Sequence, residues 1–302
     1  MQAYRNRKSV TGWARWIVTV NFMGRRKITI AMQKTIQTLI IACCAILAAN
    51  TAHSFDIKIA VIQDKKTESS EYRLLKAYLN RKGIKPVLYA YNSYPLASKN
   101  FQNGVVNIMF TGSCIAALMI KEKIAYPVVR PIDPNGVSTY SAVIIGPAGT
   151  NESDGILSLL KGKKIAACEL ASSGEIFVRA DLLADGQMVL TKSHSDALEK
   201  LRSHEVDYAV VKNTVWDASK KKFPQLKQIG SDARQHPNGT LIASYQADRK
   251  KIQDLKKALL DLEGDNSPEA VAFRSGTNIQ GFIDTRETDF QDTFALLKKA
   301  GM

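Results

Sequence analysis

An α/β protein of two lobes, each a mostly parallel sheet flanked by helices, is the fold class this sequence predicts. Three observations predict it. Strand-like and amphipathic helical runs alternate from Ile57 to Met119, the same alternation restarts at Lys163 and continues to Val211, and no repeat, low-complexity tract or flexible linker separates the two series. A βαβα order sets strands parallel because each crossover helix returns over the sheet. Two series without a linker fit a chain that crosses between lobes more than once.

The elements follow in order. Ile57–Ile62 reads as a first strand, and Glu71–Lys82 as a helix carrying Tyr72, Leu75, Tyr78 and Leu79 at helical spacing, stopped by Gly83. Pro86–Tyr91 is a second strand and Val105–Phe110 a third; after Thr111-Gly112-Ser113 comes a helix with Ile115, Leu118 and Met119 on one face. Thr139–Gly146 is a long strand-like stretch suited to bridging two lobes. The second series reads Lys163–Cys168 strand, Ser173–Ala184 helix ending at Gly186, Gln187–Thr191 strand, Ser195–Ser203 helix and Val206–Val211 strand. Thr240–Tyr245 is a further strand, followed by an amphipathic helix with Ile252, Leu255, Leu259 and Leu262. Ser267-Pro268-Glu269 is a helix start, a cap followed by proline at the first helical position.

The 302 residues are 45% hydrophobic and 23% charged, which excludes a mainly disordered chain. The net charge of +14 suggests nucleic acid until its distribution is read: Met1 to Ser54 holds eight basic residues and no acid, leaving +6 on the rest. Lys34, the apolar run Leu39–Ala49 and the small-x-small Ala52-His53-Ser54 form an export signal cleaved near Ser54. The run is shorter than the ~20 residues that span a bilayer. Ile40-Ile41-Ala42-Cys43 has too little apolar sequence ahead of it for a lipoprotein signal, and Gly24-Arg25-Arg26-Lys27 resembles a twin-arginine signal only faintly. Met1, Met23 and Met32 are all candidate starts. Cleavage leaves Cys114 and Cys168, two thiols that an oxidising compartment invites to pair.

Ligands of open α/β folds bind at the carboxyl ends of strands, so the strand-to-helix turns carry the candidate sites. In Glu169-Leu170-Ala171-Ser172-Ser173-Gly174, the hydroxyls, the first-turn N–H groups and the helix dipole favour an anion. A plain serine N-cap would use the same groups internally. Phe110-Thr111-Gly112-Ser113-Cys114 holds the equivalent turn in the first lobe. His194 follows a strand end, Asn213 or Thr214 reaches the crevice from the next, Trp216 packs, and Tyr140 and Ser141 are placed to touch both lobes. His204 reads as surface, and His236 carries no role. No P-loop, G-x-S-x-G elbow, H-E-x-x-H or zinc-finger spacing occurs, and nothing calls for a cofactor.

Several segments together resemble the periplasmic solute-binding proteins of phosphonate, phosphite and phosphate ABC transporters. They are Val106–Gly112, Val129-Arg130-Pro131 with Tyr140–Ile144, Leu160–Ala166, Ala171–Gly174, Ser193–Leu198 and Glu205–Val211, in the family's order over nearly the whole chain after the signal. The resemblance implies the type 2 periplasmic binding protein fold: two α/β lobes, two crossover strands, and closure on an oxyanion without chemistry. It implies residues 55–145 as the first part of lobe 1, 146–238 as lobe 2, and 239–302 as the return to lobe 1. Ser172, Ser173 and Gly174 would hold the phosphorus oxyanion; His194 would add a contact and Phe110 line the opposite wall. Thr111, Ser113, Tyr140 and Asn213 would complete the shell of a monomer that docks on an ABC permease and binds no nucleic acid. The chain departs from the family where Cys168-Glu169-Leu170 stands in place of Asp-Pro, and Ala171 in place of a serine or threonine hydroxyl.

Cys114 and Cys168 fall one per lobe at strand ends predicted to face one crevice. Relatives of the family sense arsenite through thiolates with a membrane histidine kinase as partner, so soft-ion binding by this pair is an alternative reading. Burial and a disulfide are two more. An exported thiol enzyme, with Cys114 activated by His194, is the reading from a different class.

Overall fold

The computed structural model describes residues 56–62, 70–151, 153, 155–169, 172–182 and 187–302, all within one unit, Phe55–Met302. The export signal, Leu170, Ala171 and the end of the helix at Ala184–Gly186 lie outside the described residues.

The first lobe is built on a six-stranded sheet of β1 (Lys58–Ile62), β2 (Val87–Tyr91), β3 (Ile108–Thr111), β4 (Ala125–Ile132), β12 (Thr240–Ser244) and β13 (Gly281–Asp284), in the order β13-β4-β12-β3-β1-β2. Helices α1 (Ser70–Arg81), α2 (Tyr94–Gln102) and α3 (Ser113–Lys121) connect its first four strands. Helix α1 buries Leu75, Tyr78 and Leu79, the stripe its spacing predicts. It stops where Gly83 adopts φ +77, a conformation that lets the N–H groups of Gly83 and Ile84 reach back to the carbonyls of Asn80 and Leu79.

The second lobe is a five-stranded sheet of β6 (Ala142–Pro147), β7 (Lys164–Cys168), β8 (Gln187–Thr191), β9 (Tyr208–Lys212) and β10 (Leu226–Ser231), ordered β10-β6-β9-β7-β8. Its helices are α4 (Ile156–Leu160), α5 (Ser173–Phe177), which runs on into a π turn at Val178–Leu182, α6 (His194–Arg202) and α7 (Asn213–Ser219). After β12 come α8 (Arg249–Leu260), α9 (Pro268–Gly276), whose start is capped by Ser267 as its sequence predicts, and, beyond β13, α10 (Gln291–Lys299).

Both sheets are mixed. The β-α-β units give parallel pairs, β1 with β2 and β3, and β7 with β8 and β9. Antiparallel pairs arise where the chain returns: β12 beside β3 and β4, β13 beside β4, β6 beside β9 and β10. The stretch Thr139–Gly146, read as one strand, divides at Ser141. Its first two residues form β5 (Thr139–Tyr140), which pairs with β11 (His236–Pro237) in a two-stranded crossover, and its remainder enters the second sheet as β6. The division lets one segment leave the first sheet, pass the crossover and join the second.

Polar groups hold this crossover. Buried His236, which the sequence left without a role, places Nδ1 2.9 Å from Thr293 Oγ1 on α10, and its ring lies 5.7 Å from that of Tyr140. Arg234 donates to Asp232 Oδ1 at 2.7 Å and to Asp181 on the π turn, which also accepts from Lys299 of α10. Burial pushes the Asp232 carboxyl up, but hydrogen bonds from His236 and Arg234 outweigh it and hold its pKa below the usual range. Arg234→Met leaves these inward carboxylates short of a cation, and we expect it to cost about 2–4 kcal/mol in urea unfolding.

Candidate ligand site between the lobes

The carboxyl ends of β2, β3, β7, β8 and β9, with Tyr140 of the crossover, converge on one cleft. It contains two adjoining cavities. One, of about 240 Å³, is called the polar cavity for the side chains of Glu169, Ser172, Lys192 and His194, which line it together with Tyr140 and Cys168 among others. A second, of about 160 Å³, lies in the first lobe, with Phe110, Phe273 and Phe282 on its walls beside Thr111 and Tyr72. Tyr94, Gly112 and Lys212 line both.

Lys212 is the residue the sequence reading missed. It ends β9 after four buried residues, Tyr208 to Val211, and its Nζ sits 4.2 Å from the centroid of the Tyr140 ring. No carboxylate lies within ion-pair distance of it among the described residues. Burial lowers its pKa below the ordinary lysine value, and the neighbouring cysteines oppose this only as thiolates. Their thiols stay protonated at neutral pH, so among the described residues the ammonium has the Tyr140 ring as its partner. The sequence signal was a charged residue closing an otherwise buried strand. Tyr94, also missed, opens α2 at Ser93-Tyr94-Pro95, a helix start of the kind recognised at Ser267-Pro268.

His194 opens α6 in the polar cavity, and its Nδ1 is buried without a hydrogen-bond partner among the described residues. Burial, and then Lys212, lower its pKa to about 3, so the imidazole is neutral at physiological pH. Thr111 Oγ1 is likewise buried and unpartnered, as is Thr240 Oγ1, opposite it in the β3–β12 register. Unmet polar groups of this kind each cost ~1–3 kcal/mol, which a ligand recovers.

Other predicted site residues are used internally. The Ser172 hydroxyl caps α5, accepting from Glu175 N at 3.0 Å and donating to the Cys168 carbonyl at 2.6 Å. Ser173 and Ser113 are buried, and Ser113 Oγ lies 2.5 Å from Tyr140 OH, so these hydroxyls join the lobes to the crossover. Burial raises the Tyr140 pKa well above that of a free phenol. Gly174 lets α5 approach β9: a Cβ there would meet Val210 Cγ1 at 3.2 Å. Asn213 exchanges two hydrogen bonds with the Ser141 backbone, at 3.0 and 3.2 Å, and lines neither cavity. Phe110 packs against Phe282, with ring centroids 6.3 Å apart.

The expectation that both cysteines face the crevice is corrected. Cys168 lines the polar cavity, but Cys114 is fully buried in the core of α3, and burial raises its thiol to about 12; that of Cys168 rises to about 11. Both are free thiols, and among the described residues no cluster of three or more His, Cys, Asp or Glu could hold a metal. Neither thiol is activated for nucleophilic attack.

The sheets, the crossover and the cleft define a two-lobed type 2 periplasmic binding fold. A family model for the periplasmic substrate-binding proteins of phosphonate ABC transporters matches residues 58–290, and the chain belongs to that family. Its members are exported proteins that bind a small solute for an ABC permease and are not enzymes. Among the described residues no helix is long and apolar enough to cross a membrane. No curated protein matches the chain. Similar solved structures include XAC2383 from Xanthomonas citri bound to chloride ion (TM-score 0.66, 16% identity, 82% of this chain and 98% of that one). PhnD1 from Prochlorococcus marinus in complex with methylphosphonate gives a TM-score of 0.66 at 13% identity, over 81% of this chain and 98% of that one. An ancestral arginine-binding protein bound to arginine gives 0.53 at 19% identity, over 73% and 97%.

Two outcomes follow. A thiol reagent should label native Cys168 slowly and Cys114 only after unfolding, as read by mass spectrometry. A folded His194 near 3 against an unfolded value of 6.5 means that the native state binds fewer protons. Its contribution to stability is therefore full above pH 6.5 and lost as pH falls towards 3. His194→Asn should flatten the fall in Tm between pH 6.5 and 5.5, a range in which ordinary carboxylates remain largely ionised.

Proposed function

We propose that this protein is exported, loses its signal near Ser54, and captures a small oxyanion (phosphonate, phosphate or phosphite) in the polar cavity for delivery to an ABC permease. One observation carries the reading: the Lys212 ammonium faces that cavity with no carboxylate partner among the described residues. An anion supplies the missing charge and restores the full basicity of the lysine. His194, neutral, donates through Nδ1 in the tautomer that protonates it. Ser172 lines the cavity with its hydroxyl taking the N–H of Glu175, whereas Ser173 and Gly174 line neither cavity. Tyr140, fixed by Ser113, holds the ammonium in place. Glu169, where the family commonly has Asp-Pro, sets a carboxylate at the rim that selects against bulk negative charge there. No observation favours a soft-ion reading, because Cys114 does not reach the cavity.

Calorimetry with phosphate, phosphite and methylphosphonate tests the proposal, and failure of all three to bind overturns it. Lys212→Met should weaken binding by at least about 100-fold, the scale of a charge-assisted contact. The same substitution should leave Tm unchanged or raised, since it removes an uncompensated buried charge.

A further inference from the structure

The polar cavity does not account for its apolar neighbour. That second cavity is walled by Leu75, Phe110, Phe273, Ile279 and Phe282 and meets the first at Tyr94, Gly112 and Lys212. A bare phosphate or phosphite held at Lys212 leaves it unfilled. Its volume of about 160 Å³ is enough for a single ring, which needs ~150 Å³. Three phenylalanines fix its shape: Phe282 lies between Phe110 and Phe273, with centroids at 6.3 and 6.4 Å. Among the described residues its one carboxylate, Glu71, is exposed, and partial burial raises its pKa.

Resting on the oxyanion reading above, we propose that the anion carries an apolar substituent the size of a single ring or a branched C4–C6 alkyl group. An aryl- or alkylphosphonate would place its anionic oxygens at Lys212 and its substituent among the phenylalanines. The substituent leaves water for a preformed apolar cavity, so affinity rises with its apolar area until the cavity is filled. Inorganic phosphate gains nothing from this wall.

Calorimetry of the purified chain with phosphate, methylphosphonate, 2-aminoethylphosphonate and phenylphosphonate tests the proposal. Phenylphosphonate should bind about 10- to 100-fold more tightly than methylphosphonate. Ile279→Gln should remove that preference while changing methylphosphonate affinity less than about twofold, because Ile279 does not line the polar cavity. If methylphosphonate binds and phenylphosphonate binds no tighter, the substituent cavity is overturned while the oxyanion reading stands. Tightest binding of 2-aminoethylphosphonate also overturns it, in favour of a cation read at Glu71. If none of the four binds, the oxyanion reading fails and the proposal with it. The ligand series on the unaltered chain decides the matter even if the variant does not fold.

Discussion

Lys212 sets a half-buried amine in the cleft with no carboxylate within ion-pair distance among the described residues. Folded proteins rarely accept that arrangement, because desolvation of a cation is repaid only by an opposite charge or a dense set of acceptors. Here the one partner is the face of Tyr140, 4.2 Å away. That ring is itself held by Ser113 from the first lobe and sits beside His236 of the return crossover. The charge therefore depends on the crossover for its position. His194 registers the same constraint: Lys212 beside it adds to burial in keeping the imidazole neutral, so the cavity presents a neutral donor next to the lysine.

The crossover is more than a tether. Core residues of both lobes, such as Met109 and Ile165, belong to one continuous apolar cluster that also takes in Phe290, Leu296 and Leu297 of the C-terminal segment. Helix α10 packs on α3 from the first lobe and on α5 from the second. Its Thr293 and Lys299 reach the charged groups around His236 and Asp181. A change in the angle between the lobes must therefore pass through β5, β11 and α10 together. The polar bonds among Asp181, Arg234 and Asp232 suit that role, because hydrogen-bonded ion pairs have directional geometry that apolar contacts lack.

Much of the fold was legible in the sequence because its elements follow local rules. The stripe of Leu75, Tyr78 and Leu79, the stop at Gly83 and the cap at Ser267-Pro268 are short-range signals, and the structure uses each one. Strand β4 escaped because Pro127 and Pro131 interrupt its pattern, and it tolerates them in a mixed sheet with shifted register. The site was legible in part. Turns at strand ends identified Thr111, Ser172 and His194, but whether a hydroxyl is free or spent depends on contacts distant in sequence. Ser113 is committed to Tyr140 and Asn213 to Ser141, pairings that no spacing rule reveals. Lys212 escaped because one lysine after a strand ordinarily reads as a solvated end.

The two cavities follow from one feature of the topology. In the second lobe the strand ends open into helix starts lined with Ser172, Ser193 and His194, so the wall there is polar and rich in N–H groups. In the first lobe β3 lies beside β12, and Phe282 of β13, beyond β12 and β4 in the sheet, packs against Phe110, so the facing wall is aromatic. A ligand held at Lys212 thus meets hydrogen-bond donors on one side and hydrocarbon on the other. Such a contrast suits holding and discriminating a small solute, the work of the family to which the chain belongs. On the proposed reading, affinity comes from a lysine without a carboxylate partner among the described residues, and selectivity from the wall opposite.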